Sequence, residues 1–153
     1  MGAYQFEGSV VLPATPEVVF DVIGDPANGP TIDPMIRSYE PEGGVMREGG
    51  LNNIRGRLLG LPYRAVTRTD VWDRPRLMIL TGLKPSKPVA MSLTEEFSPH
   101  IDGTLVIYRV DIRTVPGAGL LGRIMRRAVA RNFERAVPRL HALIATRPGH
   151  KHD

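Results

Sequence analysis

Apolar and polar residues alternate along most of the chain between residues 3 and 114. In residues 3–12 (AYQFEGSVVL) the even-numbered positions carry Tyr4, Phe6, Val10 and Leu12, and the odd-numbered ones are mostly polar. A period of two is typical of β-strands. Six more segments with strand character, bounded by Gly, Pro or Asp turn residues, follow at residues 36–42, 50–60, 62–72, 76–82, 89–98 and 104–114. This spacing predicts seven strands in an antiparallel meander.

Two parts of the chain have helical character instead. Residues 16–23 (PEVVFDVI) begin with a proline, which suits a first helical position, but GDPANGP ends the segment after about two turns. A second, turn-like piece follows through residues 30–34, so the two short pieces should form a V that closes one end of the sheet.

A long amphipathic helix is predicted over about residues 119–146. Pro138 lies inside it and should kink it. Arg127, Arg131 and Arg135 fall on the side away from the apolar stripe, where a solvated face is the simplest interpretation. The stripe itself consists of Met125, Val129, Asn132, Ala136, Leu140 and Leu143.

The order of these elements predicts an α+β fold with a cavity. A seven-stranded antiparallel sheet twists and curls into a half-barrel. The long helix is the only element with enough apolar surface to fill the concave side, and one helix cannot fill it completely. The space left between sheet and helix is therefore the natural ligand site.

The chain resembles the START-like, helix-grip superfamily, also called the SRPBCC or polyketide cyclase/dehydrase group. The resemblance spans about residues 3–146 and rests on VVLPATPEVVFDVIGDP, DVWDRPRLM, DGTLVIYRVDI and the C-terminal helix. It implies one helix-grip domain over residues 1–147 and a ligand cavity. The polar end of the chain predicts a disordered tail at 148–153. One departure is Ile32, which stands where many relatives have tryptophan and should widen that wall of the cavity.

Composition narrows the function classes. The chain has 153 residues, no cysteine and no apolar run long enough to cross a membrane. With no recognisable signal peptide, we expect a cytoplasmic protein. The net charge is +4, yet the aromatic residues do not interleave with basic ones, so nucleic acid is not the favoured partner. An oligomer is possible.

No cofactor or metal site is expected. GAGLLG before the long helix lacks the Lys-Ser/Thr of a phosphate-binding loop. His100 and His141 have no neighbouring ligands at metal-binding spacing. The Gly- and Pro-rich loops at residues 60–62, 82–88 and 115–119 are expected at the cavity mouth.

Strand periodicity picks out the side chains that should face the cavity. In residues 89–98, Glu95 shares the side of Met91, Leu93 and Phe97. A carboxyl group there would lose solvation and its pKa would rise, which suits general acid–base chemistry. The alternative is a solvated or Arg-paired carboxylate near the strand end. On the next strand Tyr108 points inward, and it is a candidate for a catalytic or ligand-binding role, with a purely structural tyrosine as the alternative.

Further contacts follow from the neighbouring elements. In residues 62–72 the uncharged set, which ends in Val71, is taken as inward, and Trp72 falls on the other side with the arginines. Asn132 on the helix stripe needs hydrogen-bond partners, for which Glu95, Tyr108, water and ligand all qualify. The remaining predicted ligand contacts are Asn52, Tyr63, Thr67, Thr69, Met125 and Val129.

Three functions are compatible with this sequence. The first is binding of a hydrophobic small molecule such as a lipid, isoprenoid or aromatic polyketide. The second is a metal-free cyclase, aromatase or dehydratase of the polyketide cyclase type, with Glu95 as acid or base. The third is a partner-binding module whose Arg-rich helix meets an acidic surface.

Overall fold

The computed structural model describes residues 2–146. The predicted domain limit at residue 147 and the predicted tail at 148–153 lie outside these residues. Seven strands and three helices follow one another, with short 3-10 turns at Pro26–Asn28 and Glu42–Gly44. The strands are β1 (Gly2–Leu12), β2 (Ile36–Pro41), β3 (Leu51–Leu58), β4 (Leu61–Asp73), β5 (Leu77–Lys84), β6 (Val89–His100) and β7 (Gly103–Thr114), and the helices are α1 (Pro16–Gly24), α2 (Gly29–Ile32) and α3 (Gly119–Ala145).

The strands form one antiparallel sheet in the order β1-β7-β6-β5-β4-β3-β2. Strands β2 to β7 form a meander. Strand β1 is the edge strand next to β7, at the opposite end of the sheet from β2. The predicted α+β helix-grip fold is thereby confirmed, with α3 lying across the sheet and the two short helices between β1 and β2. Within residues 2–146 no helix combines the length and apolar character that a membrane span requires.

Helix α1 is short because a capping residue starts it at Pro16 and an extended residue ends it after Gly24. Thr15 caps the first turn, accepting a hydrogen bond from the Val18 amide at 3.4 Å, and Pro16 occupies a position that needs no hydrogen-bonded N–H. Asp25 then takes an extended conformation and starts the next turn. The buried face of α1 consists of Val19, Phe20 and Val22.

This face closes one end of the concave sheet with an aromatic core. The ring centroid of Phe20 lies 5.0 Å from those of both Trp72 and Phe97. Leu140 and Ile144, from the last turns of α3, are buried in the same cluster. The V of short helices and the distal part of α3 therefore form a filled, apolar end.

The prediction for Trp72 and Val71 was wrong, and a β-bulge explains the error. The pairing of β4 with β5 shifts between Thr69 and Val71, so the strict alternation of sides is broken there. Trp72 pairs with the buried Met78 and packs against Phe20, and Val71 pairs with Ile79 on the other side. A period of two cannot reveal an extra residue in a strand.

Helix α3 packs mainly on one half of the sheet. Its closest neighbours are β1, β7 and the two short helices, and contact with β2, β3 and β4 is slight. The helix continues through Pro138 as a single element. Met125, Val129, Asn132, Ala136 and Leu140 are buried as predicted, and Ile144, rather than Leu143, completes the buried stripe.

Candidate functional site

One side of the sheet faces α3, and the strand register identifies it. A side-chain carbon at Gly8 would lie only 2.7 Å from the ring of Phe133 on α3, so the Gly8 side is the concave one. Gly8 pairs with Tyr108, and Tyr108 pairs with Glu95 across β7 and β6. Residues paired directly across antiparallel strands share a face, and therefore Glu95 and Tyr108 both point toward the helix, as predicted.

Glu95 is an unpartnered carboxyl group in the interior. Only 8% of the residue is exposed, and within residues 2–146 it makes no hydrogen bond or ion pair through its side chain. Burial, with a smaller contribution from the negative charge of Asp33, raises the pKa of Glu95 to about 7. Near neutral pH the carboxyl group is therefore populated in both protonation states.

Asp33 is a site residue that the sequence analysis missed. Its Oδ1 accepts hydrogen bonds from Asn132 Nδ2 and from the Met35 amide, both at 2.8 Å. Burial raises the pKa of Asp33, and these two hydrogen bonds and the charge of Arg139 partly oppose that rise. The partner of Asn132 is thus Asp33 and neither Glu95 nor Tyr108.

A second polar network lies on strands β3 and β4. The two amide protons of Asn52 go to the hydroxyls of Thr67, at 3.1 Å, and Thr69, at 3.0 Å. The side chain of Thr67 also interacts with the phenol of Tyr39 on β2. Because Asn52 and Thr69 are at most 1% exposed, this network holds the strand side chains in place and presents Thr67 and Tyr39 to the interior.

The tyrosines of the site stay protonated. Burial raises the pKa of Tyr39 and of Tyr63 to about 12, with nearby carboxylates adding to the shift. The pKa of Tyr108 is raised by burial and, to a smaller extent, by the charges of Asp33 and Glu95. Each phenol is therefore a hydrogen-bond donor at neutral pH and not a base.

The predicted contact residues fall into two groups. Phe97 belongs to the filled aromatic end, and Met125 and Val129 are buried against the strand β7. Tyr108 stacks on Phe133 at 5.3 Å but remains half-buried. The other half-buried members on the concave face are Tyr63, Thr67, Met91 and Leu93. This second group is thus only partly covered by the rest of the molecule, and ligand contact by any of these residues stays a prediction.

An open cleft of about 630 Å³ lies between α3 and the β3–β4 hairpin. Asn132 lines it and so connects it to the buried polar groups. Pro34 and Met35 on the α2–β2 connection and Gly60 from the predicted mouth loop also line it. Ile32 does not line this cleft and packs against the apolar core instead. The arginines predicted to lie on a solvated face, Arg127, Arg131 and Arg135, are exposed and line its helical wall.

Metal-binding geometry is absent from the described part of the chain. No cluster of three or more His, Asp or Glu side chains occurs within residues 2–146. His100 accepts a hydrogen bond from the Asp102 amide at 3.0 Å in the β6–β7 turn, and His141 is exposed on α3. The polar groups described above are carboxyl, hydroxyl, phenol, amide and guanidinium groups.

Comparison with known proteins supports the same fold. A family model described as "Polyketide cyclase / dehydrase and lipid transport" matches residues 3–145. No curated protein matches the chain. Among solved structures, the Zhui aromatase/cyclase from Streptomyces sp. R1128 is similar over 97% of this chain and 98% of its own, with 18% identity and a TM-score of 0.78.

Two further structures extend the comparison. Ara h 8.0201 is similar over 92% of this chain and 99% of its own, with 16% identity and a TM-score of 0.68. The di-domain ARO/CYC StfQ from the steffimycin biosynthetic pathway matches 92% of this chain and 50% of its own, with 12% identity and a TM-score of 0.76. At these identities the likeness establishes the fold and leaves the ligand open.

Proposed function

Since the chain belongs to the polyketide cyclase/dehydrase and lipid transport family, we propose that it binds a hydrophobic small molecule between the sheet and α3. The observation that carries this proposal is the partial exposure of the inward-facing apolar side chains Met91 and Leu93 on the concave face. An open cleft of about 630 Å³ between α3 and the β3–β4 hairpin supplies further space. That volume is within the range of small-molecule sites, roughly 300–1,000 Å³.

The polar groups suit a ligand that is mostly apolar with a few oxygen atoms. Tyr63, Tyr108 and Thr67 supply hydroxyl groups, and the surrounding wall is aliphatic or aromatic. A lipid, an isoprenoid or an aromatic polyketide has this balance. Fixed donors in an apolar wall set the orientation of such a ligand, whereas burial of its carbon skeleton supplies most of the affinity.

Native mass spectrometry of the purified protein tests the proposal directly. We expect a bound organic molecule, or uptake of the neutral apolar probe N-phenylnaphthylamine. Leu93→Trp should fill the space and abolish both signals. Ser92→Trp places the same ring on the opposite side of β6 and should leave binding unchanged. Failure of the unaltered protein to bind any apolar compound would overturn the proposal.

A second function, catalysis of the polyketide cyclase type, is favoured by one specific observation. Glu95 is buried, lacks a hydrogen-bond partner within residues 2–146 and titrates near neutrality. Such a carboxyl group can take a proton from a ligand carbon or return one to a ligand oxygen, and Tyr108 beside it can donate a hydrogen bond to a developing oxyanion. Cyclisation of a bound poly-β-ketone needs little more than this and a shaped cavity.

One variant tests catalysis separately from ligand binding. Glu95→Gln keeps the shape of the side chain but removes its acid–base function. If the protein is a cyclase, this variant should bind N-phenylnaphthylamine normally and lose cyclised product when a poly-β-ketone chain is supplied by a polyketide synthase. Unchanged product formation would exclude Glu95 as the acid or base.

A further inference from the structure

The cleft has two walls that carry the same charge. Arg57 on β3 lies on one side, and Arg123, Arg127, Arg131 and Arg135 lie along one face of α3 on the other. No aspartate or glutamate lines the cleft. Among the described residues 2–146 none of these arginines forms an ion pair.

The helical row of arginines spans about 18 Å, because Arg135 follows Arg123 by twelve steps of about 1.5 Å each. Like charges four residues apart repel one another and weaken a helix. The only acidic residue of α3, Glu134, is exposed and does not line the cleft. Within residues 2–146 no ion pair offsets the repulsion along this row, and a bound anion would relieve it.

The opposite wall is fixed and carries an apolar edge. Arg57 Nη1 donates a hydrogen bond to the Gly60 carbonyl oxygen at 3.1 Å, which ties the arginine to the hairpin tip. At that tip Leu59 adopts a left-handed conformation, with φ of 54°, and is 59% exposed. Leu120 and Ile124 on α3 also line the cleft and expose much of their surface.

We propose that the cleft binds the anionic group, a carboxylate, sulfonate or phosphate, of an otherwise apolar ligand. The guanidinium groups of both walls would contact the anion. The apolar part of the ligand would run past Leu59 and Ile124 toward Asn132 and the concave face. Guanidinium groups suit this role because their planar array of donors matches two oxygens of an oxyanion.

A concave cleft favours a small amphiphile over a flat partner. Guanidinium groups on two facing walls can surround one compact anion, whereas a membrane or an acidic protein would meet only the outer edges of those walls. The inference rests on the proposed function, since it names the chemical class of the same ligand.

Two fluorescent probes with one carbon skeleton test the inference. N-phenylnaphthylamine is neutral, and anilinonaphthalene sulfonate adds a single sulfonate to the same rings. We expect the sulfonate to bind about tenfold more tightly, since charge-assisted hydrogen bonds to a partly desolvated anion are worth at least that factor. Raising the salt concentration should weaken binding of the sulfonate probe and leave binding of the neutral probe unchanged.

The double variant Arg127→Gln/Arg131→Gln should remove the preference and leave binding of the neutral probe intact. Arg126→Gln is the matched control, because Arg126 is exposed on α3 and does not line the cleft. Circular dichroism of each variant checks that α3 is retained, and glutamine is a good helix former.

The outcomes distinguish this inference from the proposed function. If both probes bind equally and the double variant changes nothing, the inference is wrong and the proposed function stands. If neither probe binds, the inference is wrong, and the proposed function is wrong as well if native mass spectrometry finds no bound organic molecule. If the double variant loses binding to vesicles rich in phosphatidylglycerol, or to an acidic protein, but keeps its preference for the sulfonate, the arginines serve a surface and the inference is overturned.

Discussion

The two halves of the sheet meet helix α3 in different ways. Strands β1 and β7, the closed half, lie directly under the helix, and Phe133 fills the gap by contacting the rings of Phe6 and Tyr108. Strands β2, β3 and β4, the open half, have little contact with α3 and carry the polar network of Asn52 and Thr67 on their inner side. One continuous sheet therefore has a packed interior at one edge and a partly solvated one at the other.

The difference teaches where stability and binding reside. In the closed half, buried apolar side chains such as Val110 and Ile112 hold the helix on the sheet. In the open half, buried polar groups are paired with one another, and the space beside them stays available. Strand β6, with Glu95, is the boundary between the two.

The largest expected effect is a loss of folding stability, and it should differ between two directly paired residues. Ile112 on β7 is completely buried, and its partner Met91 on β6 is half-buried on the side of the cavity. Ile112→Ala should lower the free energy of unfolding by about 2–5 kcal/mol, since it leaves a cavity in the packed half. Met91→Ala should cost less than half as much and weaken binding of N-phenylnaphthylamine.

Urea denaturation of both variants measures this contrast, with an unchanged m-value as the sign that two-state unfolding is retained. Equal losses of stability would mean that α3 packs evenly across the sheet, and the distinction between a closed and an open half would fail.

The second prediction concerns the pH dependence of stability. The folded protein keeps a proton on Glu95 up to a pH of about 7, whereas the unfolded chain releases it near the ordinary value of 4.5. Stability from this group is therefore full below pH 4.5 and is lost as the pH rises toward 7. The shift corresponds to roughly 3 kcal/mol at most.

Glu95→Gln should remove this loss, so the variant should be more stable than the natural chain above neutral pH. Glu96→Gln is the control, because Glu96 is exposed on the outer side near Arg109 and an exposed pair contributes little. Parallel pH profiles for the natural chain and Glu95→Gln would mean that Glu95 is solvated in solution.

Much of the closed half could be predicted from the sequence, whereas the polar groups at and beyond the boundary strand β6 could be predicted only in part. Alternation of apolar residues predicted the strands, and the helical stripe placed Met125 and Val129 against them, because burial of apolar area follows local periodicity. The inward direction of Glu95 followed from the same alternation. The face of Trp72 did not, because a bulge adds a residue that no sequence period records.

The partner of Asn132 was out of reach for a different reason. Asp33 and Asn132 are 99 residues apart, and a hydrogen bond between them depends on how the α2–β2 connection lies against α3. The one available signal was a carboxylate in the segment TIDPMI, which is otherwise mostly apolar. Likewise, the sequence separated the arginines from the apolar stripe, but only the position of the β3–β4 hairpin turns that face into a cleft wall.

The third prediction breaks the link between the helix and the open half. Asn132→Ala removes a hydrogen bond to a carboxylate and leaves Asp33 with the Met35 amide alone. We expect a loss of about 2 kcal/mol in the free energy of unfolding, the usual worth of a hydrogen bond to a charged group. Ala136→Gly, on the same buried stripe but without such a bond, should cost about 1 kcal/mol through helix propensity. Thermal denaturation of both variants at equal pH gives the comparison.

The smallest expected effect is a change in the pKa of Glu95, and it separates the two causes that raise this pKa. Burial is the larger cause of its raised pKa, and the charge of Asp33 is the smaller. Asp33→Asn removes that charge and leaves the surroundings of Glu95 in place. The pKa of Glu95 should therefore fall but stay above 4.5, as followed by the side-chain carboxyl resonance in an NMR titration. Asp70→Asn, which neutralises a carboxylate paired with Arg68 and Thr81 away from Glu95, should leave that pKa unchanged.

A fall of the Glu95 pKa to its ordinary value in Asp33→Asn would mean that water reaches Glu95 freely and that the charge of Asp33 alone raises this pKa. In that case the boundary strand would belong to the open half, and desolvation could not be the source of acid–base function at this site.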